Sequence, residues 1–431
     1  MKHLSTDPYR GTRDFLPEEM SVRTQIFEKL FSTVELFGFR RYDGPILEPV
    51  SIYEAKSGGE IANEQMYRLK DKKGRQLALR PEMTPSVARI IAGNFNDVTF
   101  PARWYSHVNC HRYERPQRGR VREHWQLNVD LFGSDDFTAE AELFELIVAL
   151  MTALGADASM YAIRVNDRLL VDKALRNHVG LDDATLGPAA RAIDAWEKVD
   201  AAARTKTLEE AGLDAAQIQR LEELVGFDLE AMCAAAGPEA TEASRVARMF
   251  REGLLKPPVR FDPLIMRGFD YYTSTVFEVF DTSPDNRRSM FGGGRYDDLA
   301  GLFTKHRIPG IGFGMGDVTC WNFLVTHGLL PKPDLGPDVV VFTTREDCTS
   351  TVREMSSKLR GAGIRTVLSL EVPSMKKGLK HADKQGAQFV LIIGDEEQAQ
   401  NAVLMKTLGT GEQKLVPQAE ALEAVRAELA K

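Results

Sequence analysis

The sequence predicts an α+β protein followed by a small α/β domain, on three observations. Between about residues 67 and 150, short strand-like runs alternate with turns and two helical stretches. From about 170 to 255 the chain turns Ala-, Leu- and Glu-rich with helical periodicity and almost no β-branched runs, as a helical insertion would. After the Pro- and Gly-rich stretch Leu330–Pro337, apolar and amphipathic segments alternate in βαβαβ order, the pattern of a parallel core. At 431 residues, two or three domains are expected. A composition of 43% hydrophobic and 27% charged residues is that of a folded chain whose core needs neither disulfides nor metals.

Pro17-Glu18-Glu19 opens the first helix. Proline suits its first turn, and the acids suit its positive end. Val22, Ile26, Phe27, Leu30, Phe31, Val34 and Phe37 then recur at three- and four-residue steps up to Gly38. Phe39–Pro45 follows as a short extended segment ended by turn residues. Tyr67–Leu69 and Gln76–Arg80 flank Lys72-Lys73-Gly74-Arg75 and predict a hairpin. Pro85–Gly93 reads as a helix, Trp104–His111 and Glu123–Phe132 as strands joined by an arginine-rich loop, and Ala139–Leu154 as a helix stopped by Gly155. Beyond the insertion, Thr275–Phe280 is a strand, and glycine-rich segments follow at 292–294 and 310–316. The last domain should hold strands at Val339–Phe342, Thr366–Leu368 and Phe389–Ile393, with helices at 346–360, 374–385 and from about Gln418. The expected domains are 1–330 (carrying the insertion) and 338–431, with 331–337 as linker.

Charge and cysteine usage bound the function. Lys and Arg number 55 against 62 Asp and Glu, a formal charge of −7. That excludes a uniformly basic nucleic-acid coat but not a local basic patch. Cys110, Cys233, Cys320 and Cys348 are far apart, and no His/Cys group has zinc spacing, so neither a disulfide scaffold nor a structural zinc site is expected. Scattered thiols, an N-terminus without an apolar signal core, and no run near ~18 apolar residues point to a soluble cytoplasmic protein without a membrane partner.

Four segments carry chemistry. In Cys110–His124, Arg112, Arg115, Arg118, Arg120 and Arg122 share a loop region with only two glutamates. Guanidinium groups offer fixed charge and a planar fork, so the loop suits a nucleotide phosphate or an RNA end. A solvated hairpin with surface ion pairs is the plainer alternative. Met266–Thr273 sets Tyr271 and Tyr272 beside Arg267 and Asp270: an aromatic, hydrogen-bonding wall for a small planar ligand, or an ordinary core strand. Phe291-Gly-Gly-Gly-Arg295-Tyr296-Asp297 permits close backbone approach, but it lacks phosphate-loop spacing and by itself reads as a turn or bulge. Leu79–Pro85 holds Glu82 between two prolines before a helix, where it binds an ammonium group or, like Thr84, merely caps that helix.

Together and in this order, the segments resemble histidyl-tRNA synthetase, a class II aminoacyl-tRNA synthetase family. The resemblance spans nearly the whole chain and is weakest in the 170–255 insertion. Arg10–Pro17 is similar to the family's N-terminal opening, Gly38–Pro49 to motif 1 and Arg112–Arg120 to motif 2. Arg267–Tyr272 and Phe291–Asp297 resemble two signatures of the histidine enzyme. The resemblance implies a six-stranded antiparallel catalytic sheet with flanking helices, a C-terminal α/β anticodon-binding domain, and a homodimer built on motif 1. It also implies a histidine–tRNA ligase. The carboxylate of histidine attacks the α-phosphate of ATP, giving histidyl-adenylate and pyrophosphate, and the 3′ end of histidine tRNA then takes the histidyl group. Such chemistry asks for positioning and charge neutralisation.

By the same resemblance, Arg112 and Arg267 are catalytic arginines on the α-phosphate, and with Glu114 at the adenine end they bind ATP. Glu82 and Thr84 lie around the histidine amino group, Gln126 and Asp130 at further pocket positions, and Tyr271, Tyr272 and Tyr296 around the imidazole. Arg10, Arg115 and Gln117 fall at the tRNA acceptor end. Magnesium would accompany ATP through its phosphate oxygens, with no metal site of the protein's own. In the last domain Lys376, Lys380 and Lys384 stand four residues apart on one helix face, beside Lys377 and His381, as an RNA-backbone ridge or a solvated face. Two departures stand out. Thr319 occupies the slot of the motif 3 arginine that lies against adenine, with Val318 in that of the neighbouring acid. Asp130 replaces a longer glutamate. The alternative is the non-catalytic, histidine-sensing regulatory subunit of ATP phosphoribosyltransferase. It usually lacks the last domain and erodes the motif 2 and tyrosine-signature residues that this chain keeps.

Overall fold

The computed structural model describes residues 3–55, 64–266 and 271–430. Arg267 and Asp270 therefore lie outside the described residues. The chain divides into two compact units, Met1–Asp14 with Gln25–Pro331, and Phe15–Thr24 with Lys332–Lys431.

The first unit carries β1 (Arg40–Arg41), β2 (Leu47–Pro49), β3 (Arg68–Lys70), β4 (Gln76–Leu79), β5 (Ala102–His111), β6 (Glu123–Phe132), β7 (Tyr161–Asp167), β8 (Val259–Phe261), β9 (Thr275–Asp281), β10 (Ser289–Arg295) and β11 (Gly310–Gly316). Among the described residues β2, β4 and β3 form a small antiparallel sheet. The expected hairpin is part of it, its turn held by Asp71 Oδ1, which accepts from the backbone N–H groups of Lys73 and Arg75. The other strands form one large sheet in the order β1-β5-β6-β11-β10-β9-β7-β8. Its six inner strands are antiparallel, as the resemblance implies. The short edge strands β1 and β8 pair in parallel; β1 lies in the extended segment expected at Phe39–Pro45, whereas β8 was not expected from the sequence.

Both glycine-rich segments are central strands rather than turns or bulges; the register irregularity falls earlier, between Ser289 and Phe291. Crowding explains the glycines. A Cβ on Gly293 would lie 2.0 Å from the carbonyl oxygen of Gly312, and one on Gly312 would lie 2.4 Å from that of Val129. Helices cover the sheet. Thr138–Ala153 buries Leu143, Phe144, Leu146, Ile147, Leu150 and Met151, and Phe144 meets Phe277 of β9 edge-on at 5.0 Å. Each such side chain contributes roughly 1.5–3 kcal/mol by leaving water. Thr84–Gly93 packs Val87, Ala88 and Ile91 in one cluster with Phe132, Tyr271 and Tyr296. A fully buried Arg295 donates through Nε and Nη2 to Glu140, at 2.6 Å each, and through Nη1 to Asp297 and the Ser134 carbonyl, at 3.0 Å each.

The insertion is helical, with a core of its own that includes Leu170, Leu175, Ile193, Leu208, Leu221 and Met232. Helices Ala201–Glu210, Ala215–Leu224 and Leu229–Ala236 start behind Asp200, Asp214 and Asp228. Each of these carboxylates accepts from a backbone N–H of the first turn, a cap that stabilises by about 1 kcal/mol.

The second unit carries β12 (Val339–Thr343), β13 (Thr366–Leu368), β14 (Phe389–Ile393), β15 (Ala402–Thr407) and β16 (Gln413–Pro417). β13, β12 and β14 are parallel, as the βαβαβ pattern predicts. The antiparallel hairpin β15–β16 makes the sheet mixed; the sequence did not announce it, because only Val416 of β16 is buried. Helix Met375–Lys384 lies close on β12 because Gly378 faces Phe342, where a Cβ would come within 2.4 Å of the ring. Its opposite face leaves Lys376, Lys380 and Lys384 exposed. Among the described residues no helix is long and apolar enough to cross a membrane.

Candidate active site

A cavity of about 300 Å³ lies on the large sheet, lined from β6, β9, β10 and β11, from the Glu82–Thr84 segment, and by Arg112, Tyr271 and Tyr272. Glu82, Thr84, Arg112, Gln126, Tyr271, Tyr272 and Tyr296, drawn from separate stretches of sequence, all meet there. Its floor is made possible by glycines of β11. A Cβ on Gly314 would fall 1.6 Å from Gln126 Nε2, and one on Gly310 would fall 2.6 Å from the Tyr296 ring. At Gly314 and Gly310 the absent side chains leave the places taken by Gln126 and Tyr296.

Tyr271 Oη donates to Glu82 Oε2 at 2.9 Å, and the rings of Tyr271 and Tyr296 meet edge-on at 6.0 Å. Neither Glu82 nor Thr84 caps the following helix: Met83 stands at its N-cap with no side-chain cap. Asp130 is not on the cavity wall. It lies buried on β6, where Tyr296 Oη donates to its Oδ1 and Oδ2 has no hydrogen-bond partner among the described residues. Burial pushes this carboxyl up to about 7 against the opposing hydroxyls of Tyr296 and Tyr42.

A stability prediction follows from Asp130. In the unfolded chain its carboxyl releases its proton near 3.8, but the folded protein keeps it to about 7. Between those values the folded state binds more protons, so this group's contribution is full below 3.8 and is lost as pH rises to about 7. Compared with Asp130→Asn, the wild-type melting temperature should fall steadily over that window. A difference that stays constant with pH would show that burial does not set this titration.

The arginine loop is a β-hairpin end, closed by the reciprocal backbone bonds of Gln117 and Arg120 with Gly119 at φ +79°. Its five guanidinium groups have different surroundings. Arg112 and Arg120 line the cavity. Arg112 is oriented by Nε, which donates to the Pro81 carbonyl at 2.9 Å. Arg122 lies over the rings of Tyr113 and Tyr9, at 4.3 and 5.1 Å, and is structural. Arg118 donates to Asn286 Oδ1 at 3.0 Å, and Arg115 is exposed. The N-terminal segment packs on this loop: Arg122 N–H donates to the Gly11 carbonyl at 2.7 Å, and Arg13 pairs with buried Asp317 at 2.8 Å.

A second cavity of about 180 Å³ shares Arg112, Arg120 and His124 with the first and adds Glu114, Gly119, Val318 and Thr319. Glu114 pairs with Arg120 at 3.3 Å. Arg10, Arg115 and Gln117 are exposed outside both cavities, and the three lysines belong to the second unit. His124 and Glu278 line the first cavity without having been singled out, and so does Arg120, named before only as one of the five loop arginines and given no role of its own. Arg120 and His124 sit in the loop region that drew attention, but nothing in their spacing tells inward from outward. Glu278 carried a signal, a lone carboxylate in the apolar run Thr275–Phe280. Burial, with the Arg112 charge beside it, pushes His124 down to about 3, so it is neutral at physiological pH.

Comparison with known proteins places this architecture. The profile described as histidyl-tRNA synthetase matches residues 11–316, and that of an anticodon binding domain matches residues 338–428. A histidine–tRNA ligase of Leptospira biflexa is 37% identical over 437 aligned residues, covering 99% of each chain. One from Pyrococcus horikoshii is 34% identical, over 97% of this chain and 98% of its own. The crystal structure of histidyl-tRNA synthetase from Nostoc sp. PCC 7120 superposes with a TM-score of 0.81 at 25% identity, covering 99% of this chain and 100% of that one. With a family profile across most of its length and relatives aligned end to end, this chain belongs to the histidyl-tRNA synthetase family.

Proposed function

We propose that the protein is a histidine–tRNA ligase that forms histidyl-adenylate from histidine and ATP and passes the histidyl group to the 3′ end of histidine tRNA. One observation carries this reading. A guanidinium, Arg112, and a carboxylate–tyrosine wall, Glu82 with Tyr271, share one polar cavity. A zwitterionic amino acid meeting a phosphate needs both signs of charge within one site. In this reading Arg112 and Arg267 neutralise the α-phosphate as the carboxylate attacks, and Glu114 holds the adenine end. Glu82 and Thr84 receive the ammonium group. Tyr271, Tyr272 and Tyr296 enclose the imidazole, Gln126 adds a hydrogen bond, and Asp130 acts from below through Tyr296. Hydrogen-bonding walls of this kind reject apolar side chains, which would leave them unpaired. Magnesium fits as a companion of the nucleotide. The phosphate oxygens would hold it, and Glu278 would offer a hard oxygen from the wall, Glu82 being given to the ammonium group.

The deciding experiment is histidine-dependent exchange between ATP and labelled pyrophosphate, with the other amino acids as controls. Exchange with histidine alone supports the ligase. Histidine binding without exchange would favour the regulatory-subunit reading. The C-terminal anticodon binding domain already weighs against that reading. Gly314→Ala should displace the Gln126 amide and raise the KM for histidine about tenfold while moving that for ATP less. Equal effects on both substrates would remove Gln126 from the histidine pocket.

Lys376, Lys380 and Lys384 are proposed as a tRNA-backbone ridge, and Arg10, Arg115 and Gln117 as contacts to the acceptor end. Lys380→Glu should raise the KM for tRNA several-fold, more at low salt, with histidine activation unchanged. Loss of activation in that variant would overturn the assignment. A cytoplasmic homodimer paired through the motif 1 segment completes the proposal, and sedimentation analysis of the purified chain tests its oligomeric state.

A further inference from the structure

The loss of the motif 3 arginine leaves Thr319 where a cation would be, and Thr319 cannot replace it. Its hydroxyl donates to the Met290 carbonyl at 2.5 Å and lies 3.3 Å from that of Gly316, so it is committed to backbone. Beyond it lies a third cavity of about 240 Å³, which shares Gly119 and Thr319 with the second and Met290 with the first. Arg288 lines this third cavity, from the segment that leads into β10. A Cβ placed on Gly119 would lie 3.8 Å from Arg288 Cδ and 3.8 Å from Thr319 Cγ2, so the arginine stem and the threonine methyl flank the same point. Arg288 Nη2 donates to Gln117 Oε1 at 3.2 Å, across the tip of the hairpin. A second link, Arg118 to Asn286, ties the same two loops together, and Asn286 is itself anchored on Asp281 at 2.7 Å and Thr326 at 2.9 Å. Among the described residues one of the five N–H donors of Arg288 is engaged, leaving its planar face and remaining donors for a ligand.

We infer that Arg288 supplies from another part of the chain the guanidinium that motif 3 lacks, stacking on the purine ring of ATP above the methyl floor of Thr319. The inference rests on the ATP-dependent reading of the site, and it concerns the base, not the phosphates. A guanidinium over an aromatic face is a favourable, sequence-distant substitute for one built into the floor.

Equilibrium titration with Mg·ATP and, separately, with inorganic tripolyphosphate tests it. Arg288→Ala should weaken ATP binding roughly 5- to 30-fold and leave tripolyphosphate within twofold. Arg288→Lys should recover only part of the loss, because an ammonium group lacks the planar face. Thr319→Arg in the Arg288→Ala background should recover more. Unchanged ATP affinity in Arg288→Ala would overturn the inference, as would an equal loss for tripolyphosphate, which would make Arg288 a phosphate contact. The two readings fail separately. Arg288-dependent ATP binding without histidine-dependent exchange would sink the ligase assignment alone, whereas active exchange with ATP affinity indifferent to Arg288 would sink this inference alone.

Discussion

Arg112→Ala should lower histidine-dependent ATP–pyrophosphate exchange by about 10²–10³-fold, the usual cost of one donor aimed at developing negative charge. The side chain is half-buried, and among the described residues only its Nε is bonded, to the Pro81 carbonyl. Its outer nitrogens are therefore available to substrate, and removing them sacrifices little folding energy. The fall should appear in kcat with the melting temperature within a few degrees of wild type. Arg112→Lys should rescue poorly, since an ammonium group offers neither the fork nor the anchoring Nε bond. A variant that exchanges at the wild-type rate would remove Arg112 from the chemistry, and one that unfolds would make it a structural residue.

Glu140→Ala should cost about 3–5 kcal/mol, because it leaves the buried Arg295 charge without its main partner. Burial pushes the Glu140 carboxyl up, and the two-nitrogen contact of Arg295 opposes this. Arg245, 3.6 Å from the same carboxylate, would lose a partner too. In thermal unfolding the loss should appear as a drop on the order of 5–10 °C in the transition of the first unit. Because Tyr296 follows Arg295 directly, histidine affinity should fall as well. The double variant Glu140→Met/Arg295→Met should be less destabilised than the single one, since the fully buried Arg295 charge leaves together with its main partner. A single variant as stable as wild type would mean that water reaches this pair.

What the sequence made legible was the periodic and the chemically dense. The first helix, the hairpin, strands β5 and β6 and the parallel core of the second unit lie where apolar spacing puts them. The resemblance located seven of the residues that line the cavity, Glu82, Thr84, Arg112, Gln126, Tyr271, Tyr272 and Tyr296, although they come from segments that no local pattern connects. The glycine strands were obscure for a physical reason. β10 has no alternation to read through Gly292–Gly294, and β11 alternates Ile311, Phe313 and Met315 with glycines that by themselves suggest turns; their close neighbours make both segments strands. Strand β7 was different, because Ile163 and Val165 are buried between the half-buried Ala162 and Arg164, an alternation present in the sequence and simply passed over. Which arginines of the loop face inward could not be read, since a two-residue turn and the packing of Gly11 against Arg122 decide it.

The pairing of β6 with β11 has a consequence for how the protein comes into being on the ribosome. Gln126 faces Gly316 across that ladder, with the whole helical insertion between them in the chain. At ordinary elongation rates the partner strand emerges on the order of ten seconds or more after the arginine loop. Throughout that interval β6 is an unpaired edge, and Gln126 and Arg112 have no opposite wall. Nascent chains arrested before about residue 310 should then be unable to bind histidine however well their helices have formed, and they are the species most exposed to chaperones and proteases. Substrate can reward folding only when synthesis of the first unit is nearly complete.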